Sequence, residues 1–429
     1  MTVALIIIFV LVYLAIALEE PLKINKSAAA LAGAGLLWTV YAMASGDAAI
    51  ADEQLNESLI NTAQIAFFLM GAMTVVEVVD AHDGFAVITS RLRARTLATL
   101  VIFLCVVTFF LSAVLDNLTT TIVMVSLLRR LLRHREDRLV MAGMIVISAN
   151  AGGAWSPIGD VTTTMLWIGG QVTTVPIVTR LIVPSLVNML VPLAIVAWTL
   201  RGKPIVAPEP VSDPCEVPSD STSFERNLMF TLGLVALLSV PAFKAVTHLP
   251  PFLGILFGLG ILWAIGDLVH RDKDHSQRER VTIAHALRRI DMSAIVFFIG
   301  ILLAVATLEH AGVLAGLARW LDAEIGRLDV IVVAFGLLSA IVDNVPMVAA
   351  AIGMYDIGAH PPDSFLWEFM AYCAGTGGSI LIIGSAAGVA AMGAEKIDFI
   401  WYLRRFGGLA LVGYFAGALV YILQTNLIS

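Results

Sequence analysis

Read for hydrophobicity alone, the chain alternates apolar runs of roughly 17 to 25 residues with short polar loops, the length that spans the hydrocarbon core of a bilayer as a helix. Helices are predicted at residues 3–18, 27–44 and 59–79, with an acidic loop at 45–58 that carries Asp47, Asp52, Glu53 and Glu57. The apolar stretch 96–132 is interrupted at Asp116-Asn117 and flanked on both sides by arginines: Arg91, Arg93 and Arg95 before it, and Arg129, Arg130, Arg133, Arg135 and Arg138 after it. Basic residues at both ends put both ends on one side of a membrane, so this stretch reads as a re-entrant helical hairpin. Residues 139–168 are apolar at each end but broken by Gly152, Gly153, Pro157 and Gly159, a discontinuous helix of the sort tolerated only against protein or a wet cavity. A helix at 176–200 follows.

The same order then returns. Helices are expected at 226–243, 251–269 and 291–309, a hairpin at 329–357, a broken helix at 365–392 and a last helix at 400–423. The duplication is written in the residues. Ser112 to Asn117 reads SAVLDN and Ser339 to Asn344 reads SAIVDN; Gly152-Gly153 is matched by Gly377-Gly378. The offset is 227 residues between Asp116 and Asp343 and 225 between Gly152 and Gly377. Two halves are therefore expected, residues 1–200 and 225–429, joined by a Pro-rich cytoplasmic linker at 201–224. Each half crosses the bilayer five times if its hairpin counts as zero, and an odd number inverts the second half relative to the first. The fold class is thus an all-α polytopic membrane protein of two inverted repeats, each with three helices, a re-entrant hairpin, a discontinuous helix and a closing helix.

Composition agrees with this reading and narrows it. Of 429 residues 59% are hydrophobic and 14% charged, with mean hydropathy +0.90, and no segment has the short alternating pattern of a β-barrel. The first apolar run lacks a basic start and a small-residue cleavage site, so it is expected to stay as a helix. With the N-terminus outside, 22 of the 26 Lys and Arg fall in cytoplasmic segments, and only Arg180, Lys244, Arg319 and Arg327 fall elsewhere. Both termini are then periplasmic. The net charge of −7, without a basic stripe, gives no reason to expect nucleic acid. Cys105, Cys215 and Cys373 lie far apart, with no metal or disulfide spacing.

The chemistry lies at the interruptions. A carboxylate at membrane depth costs roughly 2.5 to 3.5 kcal/mol on insertion scales, and Asp116, Asp160 and Asp343 all sit at such depth, each at an irregular point. Around them are the amides of Asn117, Asn150 and Asn344 and the hydroxyls of Ser112, Thr119, Thr120, Ser156, Thr162, Thr163, Ser339, Ser379 and Ser385. Carboxylate, amide oxygen, hydroxyl and free carbonyl form an all-oxygen set, which suits a hard cation such as Na+ or Li+. Asp116, Asn117, Asp343 and Asn344 are the expected cation ligands. A carboxylate must lose its proton to take a cation, so the two compete, and cation/proton exchange is the physical reading. Glu77, late in the third helix, is a further candidate carboxylate; His82 and His310, at membrane boundaries, are candidate titrating groups. The plain alternative is that the buried Asp and Asn residues only cap broken helix ends; for Asp160, with Ser385 at the equivalent place, that alternative is stronger.

SAVLDNLTTT, SAIVDNVP and SANAGGAWSPIGDVTT together resemble the NhaD-type sodium/proton antiporters of the ion transporter superfamily, over the whole chain. The resemblance implies a homodimer in a bacterial inner membrane, an elevator-type motion of the hairpins and broken helices, and functional positions at Glu77, Asp116, Asn117, Asn150, Asp160, Thr162, Thr163, Ser339, Asp343, Asn344 and Ser379, with Gly377 at the second break. No cofactor is expected; Na+ or Li+ and H+ are the cargo. Dicarboxylate carriers of the superfamily have Ser-Asn-Thr at both tips, where this chain has Asp-Asn. An anion or arsenite carrier should offer cationic or hydroxyl-rich tips, and no Lys or Arg is expected near either Asp. An intramembrane aspartyl protease would place its aspartates in YD and GxGD contexts, and an ion channel has no need of duplicated inverted halves.

Overall fold

A computed structural model describes residues 1–46, 48–85, 87, 94, 96–206, 222–271 and 282–428. Arg91, Arg93, Arg95, Lys273, Arg278, Arg280, most of the Pro-rich linker and Ser429 lie outside the described residues. The described chain is helical and multi-pass: eight of its helices are long and apolar enough to cross a membrane.

In chain order the first half comprises α1 (Thr2–Ala17), α2 (Lys26–Ser45), α3 (Ala48–Ala81), α4 (Leu97–Leu115), α5 (Asn117–Leu131), α6 (Arg135–Gly153), α7 (Val161–Ile168) and α8 (Thr174–Thr199). The second comprises α9 (Ser223–Thr247), α10 (Pro251–Val269), α11 (Ile283–Arg289), α12 (Met292–His310), α13 (Val313–Glu324), α14 (Leu328–Ser339), α15 (Asn344–Met354), α16 (Phe365–Gly377) and α17 (Ala386–Glu395). A last helix, α18, starts at Phe399, passes a π-turn at Leu403–Gly407 and ends at Ile428.

Two differences from the hydrophobic pattern have local causes. The acidic stretch before the third helix is not a loop. Ala51, Ser58, Thr62, Ile65 and Leu69 are buried at helical spacing while the acids between them face out, so α3 runs unbroken for 34 residues. The amphipathic α13, at 12 residues too short to span a bilayer, lies between two expected elements; it buries Leu314 and Ala318, four residues apart, while Leu317 and Trp320 stay exposed.

Helices α1, α2, α3, α9, α10 and α12 form one packed group, in which α2 lies on α12 and α3 on α10 and α12. The hairpin arms, broken helices and closing helices form another, in which α4 and α5 pack on α6, α14 on α16, α5 on α17 and α8 on α18. The groups meet where α3 touches α7 and α12 touches α15.

Hydrogen bonds show how the interrupted elements run. Leu97 N–H donates to Lys203 O (3.0 Å) and Arg133 N–H to Val206 O (3.1 Å), so both feet of the first hairpin are tied to one short segment and its turn lies at the far end. The arms α4 and α5, of 19 and 15 residues, are about 28 and 22 Å long. Those of the second hairpin, of 12 and 11 residues, are only about 17 Å, well short of a crossing. The two broken helices are antiparallel. At one end Arg138 Nε, at the start of α6, meets Glu395 at the end of α17 (3.1 Å), and Arg129 Nε meets the same carboxylate at 2.8 Å. At the other end Asp363 N–H, just before α16, donates to Gln171 O, just after α7 (2.9 Å).

Candidate functional site

Helix α4 ends and α5 begins across Asp116, which has φ 83° and ψ 160°, a backbone conformation open mainly to glycine and costing about 1–3 kcal/mol elsewhere. The side chain explains why glycine is not there. Its Oδ1 accepts from Thr119 N (2.8 Å) and its Oδ2 from Thr119 Oγ1 (2.9 Å), so Asp116 caps α5 with both oxygens. The second tip is built differently. At the offset of 227, Thr119 corresponds to Pro346, which has neither an N–H nor a hydroxyl to donate. Asp343 makes no side-chain cap bond, and its Oδ2 lies 3.6 Å from Lys26 Nζ. The expectation that no cation stands near either tip aspartate is therefore wrong for Asp343: Lys26 is remote in sequence, and tertiary packing brings it there.

The centre of the site is Asp160. As the residue before α7 it caps that helix, its Oδ1 accepting from Thr162 N (2.9 Å) and Thr162 Oγ1 (2.9 Å). Its Oδ2 accepts from Asn117 Nδ2 at 2.6 Å, and Asn344 Nδ2 reaches the same carboxylate at 3.4 Å. Asn117 Nδ2 also donates to Asn150 Oδ1 (3.0 Å), and Asn150 Nδ2 donates to Ser379 Oγ and Ser385 Oγ (2.9 Å each). One carboxylate thus gathers both hairpin tips and the first break, and Asn150 carries the network into the second. All of these residues are buried. Capping and site-building are not alternatives for Asp160, because its two oxygens divide the tasks. The asparagines of the tips point inward at it, while the tip aspartates turn to opposite sides: Asp116 toward a small void that it lines with Phe68, Met73 and Asp160, Asp343 toward Lys26.

Several of the other expected residues bond to backbone. Ser112 Oγ donates to Ala149 O (2.6 Å), and Ser339 Oγ to Ala374 O (3.2 Å); these contacts coincide at offsets of 227 and 225. A Cβ on Gly152 would strike Phe109 O, and one on Gly377 would strike Gly336 O, again equivalent positions. Only glycine lets the hairpin backbone approach each break so closely. Thr163 Oγ1 donates to Asp160 O (2.9 Å), and Ser385 caps α17 through Gly388 N.

Glu77 is not part of this assembly. It pairs with Arg289 Nε (2.9 Å) at the end of α11, an acid–base pair between a mostly buried glutamate (19% exposed) and a half-exposed arginine. His82 is buried, its Nδ1 2.7 Å from Val78 O and its Nε2 2.8 Å from His270 Nε2; His310 Nε2 bonds Ser58 Oγ (3.1 Å). A cavity of about 350 Å³, lined by Asn61, Gln64, Gln171 and Glu309 beside Met165 and Ala349, reaches the groups' junction at α7 and α15. A smaller one, about 90 Å³, surrounds Asp343, Lys26, Glu19 and Tyr13.

A buried polar centre assembled from two helix breaks and two hairpin tips, in a multi-pass helical protein with cavities beside it, defines a membrane transporter rather than an enzyme. Comparison with known proteins agrees. The citrate transporter family matches residues 11–375, and the chain belongs to that family, as a member of its NhaD-type branch. It is 48% identical to sodium/proton antiporter 1 of Arabidopsis thaliana over 99% of this chain and 73% of that protein. It is 44% identical to sodium/proton antiporter 2 of the same plant, over 98% and 99%. It is 30% identical to the Na(+)/H(+) antiporter NhaD of Vibrio cholerae, over 99% and 92%.

Proposed function

We propose that the chain is a secondary active antiporter that exchanges Na+, or Li+, for protons at the buried Asp160 centre, with Asp116 and Asp343 as flanking carboxylates. The observation that carries this is the convergence of Asn117, Asn344 and Thr162 on one desolvated carboxylate. A carboxylate with amide and hydroxyl oxygens around it suits a small hard cation or a proton, one at a time. Asn117 and Asn344 each have an amide oxygen to offer once the amide turns. The relatives named as sodium/proton antiporters support the same reading.

The family's description as a citrate transporter favours a second reading, anion carriage. Against it stands the charge at the centre: the bonds to Asp160 come from amides and hydroxyls, and a polyanion there would meet a carboxylate. Inverted repeats are supported by the antiparallel broken helices and by the equivalent contacts at Ser112 and Ser339. An elevator-type motion is the corresponding mechanism, with the hairpin and broken-helix group moving against the group of α1–α3, α9, α10 and α12. A homodimer, a bacterial inner membrane and periplasmic termini complete the proposal. Everted vesicles carrying the chain should lose their pH gradient on addition of NaCl or LiCl. Uptake of labelled citrate with no response to either salt would replace this reading by anion carriage.

A further inference from the structure

We propose that Lys26 is a tethered cation that occupies Asp343 when no transported ion is there, and that it thereby sets the affinity with which the transported ion binds. This rests on the exchange reading above and adds a residue to it.

The two tip aspartates are equivalent in sequence but not in use. Asp116 spends both oxygens on Thr119, whereas Pro346 at the corresponding place leaves the Asp343 carboxylate without a donor from its own helix. The group that faces it is the ammonium of Lys26, at the first residue of α2, across the boundary between the two packed groups. The 3.6 Å separation is longer than a charge-assisted hydrogen bond of about 2.8 Å, so the hold is an ion pair without a close bond. Neither side chain is sealed off, at 25% exposure for Lys26 and 15% for Asp343. The cavity around them, about 90 Å³, has room for roughly three waters, enough for a partly hydrated small cation.

A displaced ammonium also has somewhere to go. Glu19 lines the same cavity, and its Oε1 already accepts from Lys26 N–H at 3.1 Å, which places that carboxylate beside the lysine's own backbone. The ring of Phe297 lies 4.7 Å from Nζ and supports the charge without neutralising it. A cation entering the cavity therefore competes with Lys26 for the oxygens of Asp343, and Glu19 favours the displaced form. Competition of this kind raises the apparent dissociation constant of the ion by the stability of the pair it must break, a factor of roughly two to five for a partly exposed pair.

The test is the KM and maximal rate for Na+ in everted vesicles at fixed pH, for the wild type, Lys26→Gln, Lys26→Arg and Glu19→Gln. Lys26→Gln should lower the KM roughly two- to fivefold, a gain that structural damage would not produce. Lys26→Arg should return it to near the wild-type value, and Glu19→Gln should raise it. An unchanged or raised KM in Lys26→Gln overturns the proposal. If Lys26→Gln fails to reach the membrane, Glu19→Gln decides: an unchanged or lowered KM overturns it. Protection of the purified protein against thermal unfolding by NaCl reads binding without exchange. Wild-type protein that is protected but does not exchange would count against antiport, while a protection curve for Lys26→Gln that coincides with it would count against the role of Lys26.

Discussion

Asn117 Nδ2 stands 2.6 Å from Asp160 Oδ2, joining the tip of the first hairpin to the break of the first discontinuous helix, 43 residues further along the chain. The tip and the break are each left with unpaired polar groups by their own geometry, and each supplies what the other lacks. Because Asn344 approaches the same carboxylate from the other half, the centre exists only when both halves are in place.

Asp160→Asn should abolish exchange, taking it at least about tenfold below wild type, because the new amide can neither release a proton nor take a cation. Its NH2 would also oppose the NH2 of Asn117, so thermal unfolding in detergent should be measured alongside transport. Asp116→Asn should also lose exchange but keep its stability, since asparagine caps a helix as well as aspartate does. Transport by Asp160→Asn at near the wild-type rate would remove that residue from the centre.

Glu77→Gln should change the KM for Na+ by less than roughly twofold and stability by about 1 kcal/mol, the upper end of the range for ion pairs open to solvent, since the glutamate is mostly buried. The reason is its pairing with Arg289, away from Asp160. A loss of exchange comparable to that of Asp160→Asn would show that Glu77 takes part after all.

Gly152→Ala and Gly377→Ala should each destabilise the fold by about 1–3 kcal/mol or more, read as a lower midpoint of thermal unfolding, because the added methyl meets a backbone carbonyl that cannot swing away. Gly35→Ala, at a helix position with open space around it, is the matched control and should be neutral or stabilising.

Proton and cation are expected to compete for one site. Lowering pH should then raise the KM for Na+, roughly tenfold per unit below the governing pKa, with far less change in maximal rate. A separate sensor, such as the His82–His270 pair, would instead change the maximal rate and leave the KM flat. Measuring both parameters between about pH 6.5 and 9 separates the two.

What the sequence determined was the material for the site. Apolar run length sets the number and kind of helices, and an acid or a glycine pair inside such a run marks an interruption that lipid cannot satisfy. The repeated words around Asp116 and Asp343 therefore located both tips, and Gly152 and Gly377 both breaks. The acids at the start of α3 concealed part of a helix, since an exposed polar face carries no hydrophobic signal, and α13, at 12 residues, is shorter than a spanning run.

Only the tertiary structure decided which carboxylate is central and what faces each of the others. Asp160, with no acidic counterpart in the second half, became the hub because inward-pointing asparagines from two hairpins reach it. Asp116 and Asp343, alike in sequence, were separated by Thr119 and Pro346 and by a lysine more than three hundred residues away. Hydrophobic periodicity is a property of neighbouring residues, whereas charge pairing and hydrogen bonding across a core depend on which segments packing brings together.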